Sequence, residues 1–133
     1  MKTLFADSFF YFALLNPTDL AHEQAEAFLE NFDGKLVTTA WVLTELADGM
    51  ADPADRQTFI SLYDALGTDS DVTIVPSDAG LFAEGLALYA SRTDKEWSLT
   101  DCISFVVMQR HQLNEALTGD HHFDQAGFKA LLR

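Results

Sequence analysis

The sequence has very few cysteines: Cys102 is the single thiol among 133 residues. It cannot form an intramolecular disulfide, and a zinc site built on several cysteines is excluded. This usage fits a reducing compartment, and we expect a cytoplasmic protein. No run approaches the roughly 18 apolar residues of a membrane span. The apolar N-terminal stretch is interrupted by Asp7 and lacks a small-residue cleavage site, so no signal peptide is predicted.

Basic residues are also scarce. Eight Lys and Arg stand against 21 Asp and Glu, which gives a formal net charge of -13. This balance opposes nucleic-acid binding through bulk electrostatics and is typical of a solvated acidic surface. A nuclease with this charge would need bound cations or a few well-placed basic side chains.

Repeats, low-complexity runs and linkers are absent as well. The chain is 48% hydrophobic and 12% aromatic, which is enough to build a core. Its length suits one domain, so we predict a single domain over residues 1–133.

Short apolar segments alternate with helical patterns along the chain. Strands are predicted at 3–6, 35–38, 72–75 and 115–117, with a fifth in the closing GFKALLR. Helices are predicted at 8–15, 19–32, 40–50, 53–66, 77–91 and 98–111, with Ser77 as a cap. Such alternation indicates an α/β domain whose parallel sheet is covered by helices on both faces.

Four acids occupy positions that could converge. Asp7 closes the first strand and Asp120 follows the fourth, so both belong at the carboxyl edge of the sheet. Glu45 borders the buried stripe of its helix, and Asp101 lies in the first turn of another. Four such carboxylates repel one another unless a divalent cation neutralises them. Mg²⁺ and Mn²⁺ prefer oxygen ligands, so the pattern indicates metal-assisted phosphoryl chemistry.

Each acid also has a purely structural interpretation. Asp101 lies three residues after Ser98, a spacing typical of a capping box, although capping and metal binding can coexist. Asp7 could be a helix cap, Glu45 a solvated helical residue and Asp120 a turn residue. Spacing alone does not decide between the two interpretations.

The two histidines after Asp120 invite a zinc hypothesis. Zinc requires three or four well-placed donors, and adjacent side chains usually point apart. We therefore interpret His121 and His122 as loop residues and Cys102 as a small buried apolar residue.

The order of FADSFF, TELADGM, WSLTDCISFVVMQ and LTGDHHFDQAGF resembles the PIN-domain family, and within it the ribonuclease toxins of the VapC type. The resemblance implies a three-layer α/β/α sandwich with a central parallel sheet of four to five strands. It also implies a Mg²⁺- or Mn²⁺-dependent endoribonuclease that is the toxin of a type II toxin–antitoxin pair. The family's four metal-binding and catalytic acids fall on Asp7, Glu45, Asp101 and Asp120.

The same resemblance implies a supporting shell and partners. Small polar residues beside the acids would hydrogen-bond to ligand carboxylates or water, and these residues are Ser8, Ser98 and Thr100. Asp124 would lie further from the cation. Arg92 and Lys95 precede WSLTD, so we expect them to contact RNA. The expected partners are an RNA substrate, a protein antitoxin and a second copy of the chain, without a membrane.

Two other functions remain open. A non-catalytic PIN-fold binding partner fits the acidic surface but not the complete set of acids. A phosphotransfer receiver domain would need an acceptor Asp after a middle strand and a Lys after a late one. Here the third strand ends in Val75-Pro76, and no Lys follows the fourth. A D-x-D phosphatase is excluded because Phe9 stands where the second acid would be.

Overall fold

A computed structural model describes residues 1–133, and its centre is a parallel five-stranded sheet. The strands lie in the order β3-β2-β1-β4-β5. Their bounds are β1 Thr3–Ala6, β2 Lys35–Thr39, β3 Val72–Val75, β4 Glu115–Leu117 and β5 Lys129–Ala130. The predicted α/β sandwich with four to five parallel strands is confirmed.

Seven helices connect and cover the strands. Their bounds are α1 Ser8–Leu15, α2 His22–Asn31, α3 Ala40–Gly49, α4 Pro53–Thr68, α5 Ala79–Ser91, α6 Leu99–Arg110 and α7 His121–Gln125. None of them has the length and apolar character that crossing a lipid bilayer requires.

The central strand β1 determines where the functional groups can meet. It pairs in parallel with β2 on one side and with β4 on the other. Its last three residues are fully buried, as expected for a strand covered on both faces. Because all five strands are parallel, the residues that follow β1 and β4 emerge at the same edge of the sheet.

Polar caps fix where several helices begin. The side chains of Thr39, Asp52 and Ser98 accept hydrogen bonds from main-chain N–H groups in the first turns of α3, α4 and α6. For α5 the cap is Asp78, which accepts from Leu81 N at 2.9 Å. The prediction that Ser77 caps this helix is therefore wrong, because the helix begins two residues later.

Helix α6 is the most deeply buried helix. Eight consecutive residues, Asp101 to Met108, are buried. Helix α5 packs closely on it at Gly85, where an added Cβ would lie 2.3 Å from Ile103 Cγ1. The absence of a side chain at Gly85 thus sets how near the two helices approach.

Three sequence predictions differ from the structure in detail. Helix α2 spans 22–31 rather than 19–32, because Asn16 to Asp19 form a hydrogen-bonded turn first. Strand β5 has only two residues. The segment His121–Gln125, interpreted as a loop, is the short helix α7, capped by Asp120.

Candidate active site

The four predicted acids lie together at the carboxyl edge of the sheet. They line a pocket of about 490 Å³ whose other lining residues are Ser8, Phe9, Phe12 and Ser98. We call it the acid pocket. Its acids come from four parts of the chain: the end of β1, helix α3, the first turn of α6 and the cap of α7.

Asp7 is the most buried of these acids, with 5% of its surface exposed. Its Oδ2 accepts a hydrogen bond of 2.8 Å from Thr118 Oγ1. Burial raises the pKa of Asp7 to about 7, and the charges of Asp101 and Glu45 add to the effect while the Thr118 bond opposes it. The ionised carboxylate is therefore unfavourable at this position unless a positive charge is close.

Asp101 closes the capping box of α6 and faces the pocket as well. Its main-chain N–H donates to Ser98 Oγ at 2.9 Å, and its Oδ2 accepts from Ser98 N at 3.2 Å. Burial and then the charge of Asp120 raise the pKa of Asp101, while hydrogen bonds from Ser98 and His122 oppose this rise. The structural and the chemical interpretation of this acid are thus compatible.

Glu45 and Asp120 are held by neighbouring hydroxyl and main-chain groups. Ser8 Oγ donates a short hydrogen bond to Glu45 Oε1. Asp120 Oδ1 accepts from the main-chain N–H of His122 at 2.9 Å, and Asp120 N donates to Thr118 Oγ1 at 3.1 Å. Each carboxylate therefore has an oriented position before any ligand is present.

Two residues that contact the acids, although they do not line the acid pocket, were missed in the sequence. The Thr118 hydroxyl links Asp7 to the main chain of Asp120, and the ring of His122 lies 3.0 Å from Asp101 Oδ2 through Nδ1. The interpretation of His122 as a loop residue is wrong, because it lies in α7 and its ring contacts Asp101. Both residues lie within two positions of Asp120, but their contacts with Asp7 and Asp101 cross 111 and 21 positions of sequence, so spacing did not reveal them.

Four other predicted residues lie outside the acid pocket. Thr100 is half-buried in the first turn of α6 and does not line it. Asp124 accepts hydrogen bonds from Ala130 N and Arg133 Nη1, so its carboxylate holds the C-terminal segment rather than the pocket. Arg92 and Lys95 lie in the loop before α6 and also do not line it.

Ion pairs occupy most basic side chains. Arg92 binds both oxygens of Asp94 at 2.9 Å, and its guanidinium carbon lies 4.9 Å from the centre of the Trp97 ring. Lys95 is 3.9 Å from the same Asp94. Three further pairs are Lys2–Glu115, Arg110–Glu84 and Arg133–Asp124. Few cationic groups therefore remain free to neutralise an approaching polyanion.

The donor set fits a hard divalent cation. Four carboxylates surround one pocket, and two of them have raised pKa values because they are buried among other negative charges. Oxygen ligands of this kind suit Mg²⁺ and Mn²⁺, and the charge of the ion would reverse the penalty that the carboxylates carry.

The parallel sheet and its acid pocket define a class: α/β domains with clustered carboxylates at the carboxyl ends of the strands. The model of the PIN domain matches residues 5–129, and the chain belongs to this family. The resemblance noted in the sequence is confirmed. No curated protein matches the chain in sequence.

Solved structures share the fold along nearly the whole chain. VapC20 of Mycobacterium tuberculosis, a Sarcin-Ricin loop cleaving toxin, has a TM-score of 0.85 and 23% identity, covering 94% of this chain and 95% of that one. FitAcB from Neisseria gonorrhoeae has a TM-score of 0.64 and 21% identity, covering 96% and 94%. VapBC2 from Rickettsia felis, bound to a promoter DNA fragment, has a TM-score of 0.66 and 13% identity, covering 97% of both.

Proposed function

We propose that this protein is a divalent-cation-dependent endoribonuclease, the cytoplasmic toxin of a type II toxin–antitoxin pair. The observation that carries the proposal is the convergence of four carboxylates in one pocket, with Asp7 so buried that its pKa rises to about 7. Similarity to VapC20, described as a toxin that cleaves the Sarcin-Ricin loop, supports RNA as the substrate.

In this proposal Asp7, Glu45, Asp101 and Asp120 hold the cation, Mg²⁺ or Mn²⁺. The bound ion would supply positive charge for the scissile phosphodiester and promote attack by water. The chain's own contribution is orientation. Thr118, Ser8 and Ser98 each hydrogen-bond to a different acid, which fixes where the carboxylate charges stand.

The strand order weakens the receiver alternative. Receiver-type domains have the order 2-1-3-4-5, with β1 beside β3. Here β1 lies between β2 and β4, and β3 is at the edge. The remaining alternative is a PIN-fold protein that binds a partner without catalysis.

The test is cleavage of a mixed RNA by the purified protein. We expect phosphodiester cleavage with Mg²⁺ or Mn²⁺, none in EDTA, and recovery when the ion is restored. Glu45→Gln should fold normally and cleave little, because it removes one carboxylate charge from the pocket. RNA binding without cleavage by the wild-type protein under all ion conditions would favour the non-catalytic alternative.

A protein antitoxin is the proposed partner, and the surface offers a row of neighbouring pockets for it. An apolar pocket of about 650 Å³ between α3 and α4 is lined in part by Leu43, Phe59 and Tyr63. Phe59 and Ile60 also line a second pocket next to it. Met50 lines both this second pocket and a third one. Phe12 lines both the third pocket and the acid pocket. A peptide lying along these pockets could bring a basic side chain to the acids.

The resemblance to FitAcB and VapBC2 supports such an assembly. A homodimer also stays a prediction. The exposed large apolar side chains of α5 are Phe82, Leu86 and Tyr89, which recur at helical spacing. A monomeric mass by sedimentation at micromolar concentration would contradict the dimer.

A further inference from the structure

An imidazole ring lies beside two of the four carboxylates. His122 is in the first turn of α7, and 18% of its side chain is exposed. Its Nδ1 lies 3.0 Å from Asp101 Oδ2 and 3.3 Å from Asp120 Oδ1. One ring nitrogen thus faces oxygens from two of the four acids.

One hydrogen bond does not account for this arrangement. A ring nitrogen carries at most one proton, so Nδ1 donates well to one carboxylate oxygen and leaves the other facing it. The two separations also match those of neighbouring ligands on one ion. Two ligand atoms that each lie about 2.1 Å from an ion are about 3 Å apart when their bonds meet at a right angle. At the tetrahedral angle the two ligand atoms are a few tenths of an ångström further apart.

The main chain holds the ring in this position. The His122 N–H donates to Asp120 Oδ1, the same oxygen that its Nδ1 approaches. The capping of α7 therefore fixes the imidazole relative to Asp120, and the capping box of α6 fixes Asp101. The two caps are independent of each other, and together they hold an oxygen of Asp101 and an oxygen of Asp120 close to His122 Nδ1.

We propose that His122 is a nitrogen ligand of the cation, so that Asp101, Asp120 and His122 form a mixed oxygen–nitrogen site. Such a site selects a first-row transition ion such as Mn²⁺ over Mg²⁺, because imidazole suits these ions whereas Mg²⁺ prefers oxygen. The proposal rests on the proposed function, in which the acid pocket holds a divalent cation.

The neighbouring histidine provides a matched control. His121 Nδ1 is 3.7 Å from Asp120 Oδ1, and 60% of its side chain is exposed. His121 and His122 could form a three-residue cluster with Asp120, since their ligand atoms lie within 4.8 Å of one another. Only His122, however, also contacts Asp101, so the two substitutions separate a ligand of the acid pocket from an exposed neighbour.

The first experiment uses Mn²⁺ bound to the full chain without RNA. Electron spin-echo envelope modulation should show a directly bonded nitrogen in the wild-type protein, and isotopic labelling of histidine nitrogen should change that signal. His122→Asn should lose the signal, and His121→Asn should keep it. Absence of the nitrogen signal from wild type, or its persistence in His122→Asn, would overturn the proposal.

The second experiment measures affinity from the signal of free Mn²⁺, with Mg²⁺ as competitor. His122→Asn should weaken Mn²⁺ binding by about tenfold or more while changing Mg²⁺ binding much less. Circular dichroism checks that each variant is folded. Equal losses for both ions would mean that His122 only orients Asp101, and would overturn its assignment as a ligand.

These measurements distinguish the role of His122 from the role of the acid pocket as a cation site. Mn²⁺ binding that is lost in Asp101→Asn but shows no nitrogen signal contradicts the role of His122 and leaves the acid pocket as a cation site. Mn²⁺ binding that is equal in wild type and Asp101→Asn contradicts the acid pocket itself, and the proposed function with it.

Discussion

At the scale of single residues, Asp101 combines two roles. It accepts a hydrogen bond from Ser98 N that closes the capping box of α6, and it lies beside Asp120 and His122 in the acid pocket. The sequence indicated both roles but could not decide between them. Spacing shows which residues can cap a helix, whereas convergence depends on how the helices are placed around the sheet.

Asp101→Asn separates these roles. Asparagine keeps an oxygen for the cap, whose complete loss would cost only about 1 kcal/mol. The change also removes a charge that repels Asp120, so the free energy of unfolding without metal should stay equal or rise. RNA cleavage should fall by roughly 100-fold or more, the effect of losing a group that stabilises charge at a reacting centre. A variant that melts and cleaves like wild type would leave Asp101 as a cap alone.

The raised pKa of Asp7 predicts that stability in EDTA depends on pH. Its pKa is raised from 3.8 to about 7 by burial, so between these values the folded protein binds a proton that the unfolded chain has lost. The contribution of Asp7 to the free energy of unfolding of the wild-type protein should therefore decrease as pH rises from about 4 to about 7. Asp7→Asn lacks this contribution and should be more stable near neutral pH, by on the order of 2–4 kcal/mol.

Urea unfolding across this pH range in EDTA measures the difference between the two proteins. The exposed Asp48 of α3 provides a control, and Asp48→Asn should show no comparable change with pH. A difference between Asp7→Asn and wild type that does not grow with pH would contradict the burial of an ionisable Asp7.

Other residues of the site could not be predicted in the same way. The acids after β1 and β4 follow from strand ends alone, because parallel strands share a carboxyl edge. Thr118 and His122 depend on where Asp7 and Asp101 stand in space. These neighbours come from distant parts of the chain, so no local pattern shows the contacts.

At the scale of elements, the position of Asp101 depends on how α6 packs against α5. Gly85 faces Ile103, and an added Cβ would lie 3.2 Å from the Ile103 Cα as well as 2.3 Å from its Cγ1. Because the nearest main chain belongs to α6 itself, a side chain here must push the helices apart or displace Ile103.

Gly85→Ala should therefore lower the free energy of unfolding by roughly 1–3 kcal/mol, the usual cost of overpacking a core. Gly67→Ala is the matched control, since nothing lies within 4 Å of its added Cβ in α4. That substitution should be neutral or stabilising by up to about 1 kcal/mol. Denaturant unfolding of both variants tests the contact, and similar stabilities would contradict it.

The length and burial of a strand or helix decided whether the sequence revealed it. The four longer strands and the helices α1 to α6 were visible as apolar runs and helical spacing. Helix α7 was missed because its five residues are too few to show a period. The cap at Asp78 was missed because Ser77 offers the same kind of oxygen one position earlier.

At the scale of the whole molecule, the sequence predicted a parallel sheet but not the order of its strands. Apolar runs show which segments are buried strands and do not record which strand lies beside which. The placement of β1 between β2 and β4 is set by long-range packing. This placement brings Asp7 next to Thr118 and so completes one side of the acid pocket.

Under the proposed function, the distribution of positive charge predicts which loop an RNA substrate would meet. Arg92 and Lys95 lie in the loop that leads into Ser98 of the acid pocket, whereas Arg56 is on α4 and donates to Ala51 O. Replacing Arg92 and Lys95 together with Gln should reduce cleavage at low RNA concentration by roughly three- to tenfold. Arg56→Gln should have a smaller effect.

Initial rates at RNA concentrations below saturation measure this difference. Arg92 also stacks on Trp97, so the tryptophan fluorescence of the double variant checks that the loop keeps its structure. Equal rates for the double variant and Arg56→Gln would show that this loop does not face the substrate.

The hydrogen bond between Thr118 and Asp7 joins residues 111 positions apart. In terms of folding, it is among the contacts that close the longest loops, and such contacts form late because ordering the loop costs entropy first. A chain still being synthesised lacks β4 and Asp120 until most of the sequence has left the ribosome. The acid pocket consequently assembles only after β4 and Asp120 have been added to the residues that precede them, and a shorter nascent chain carries only part of the site.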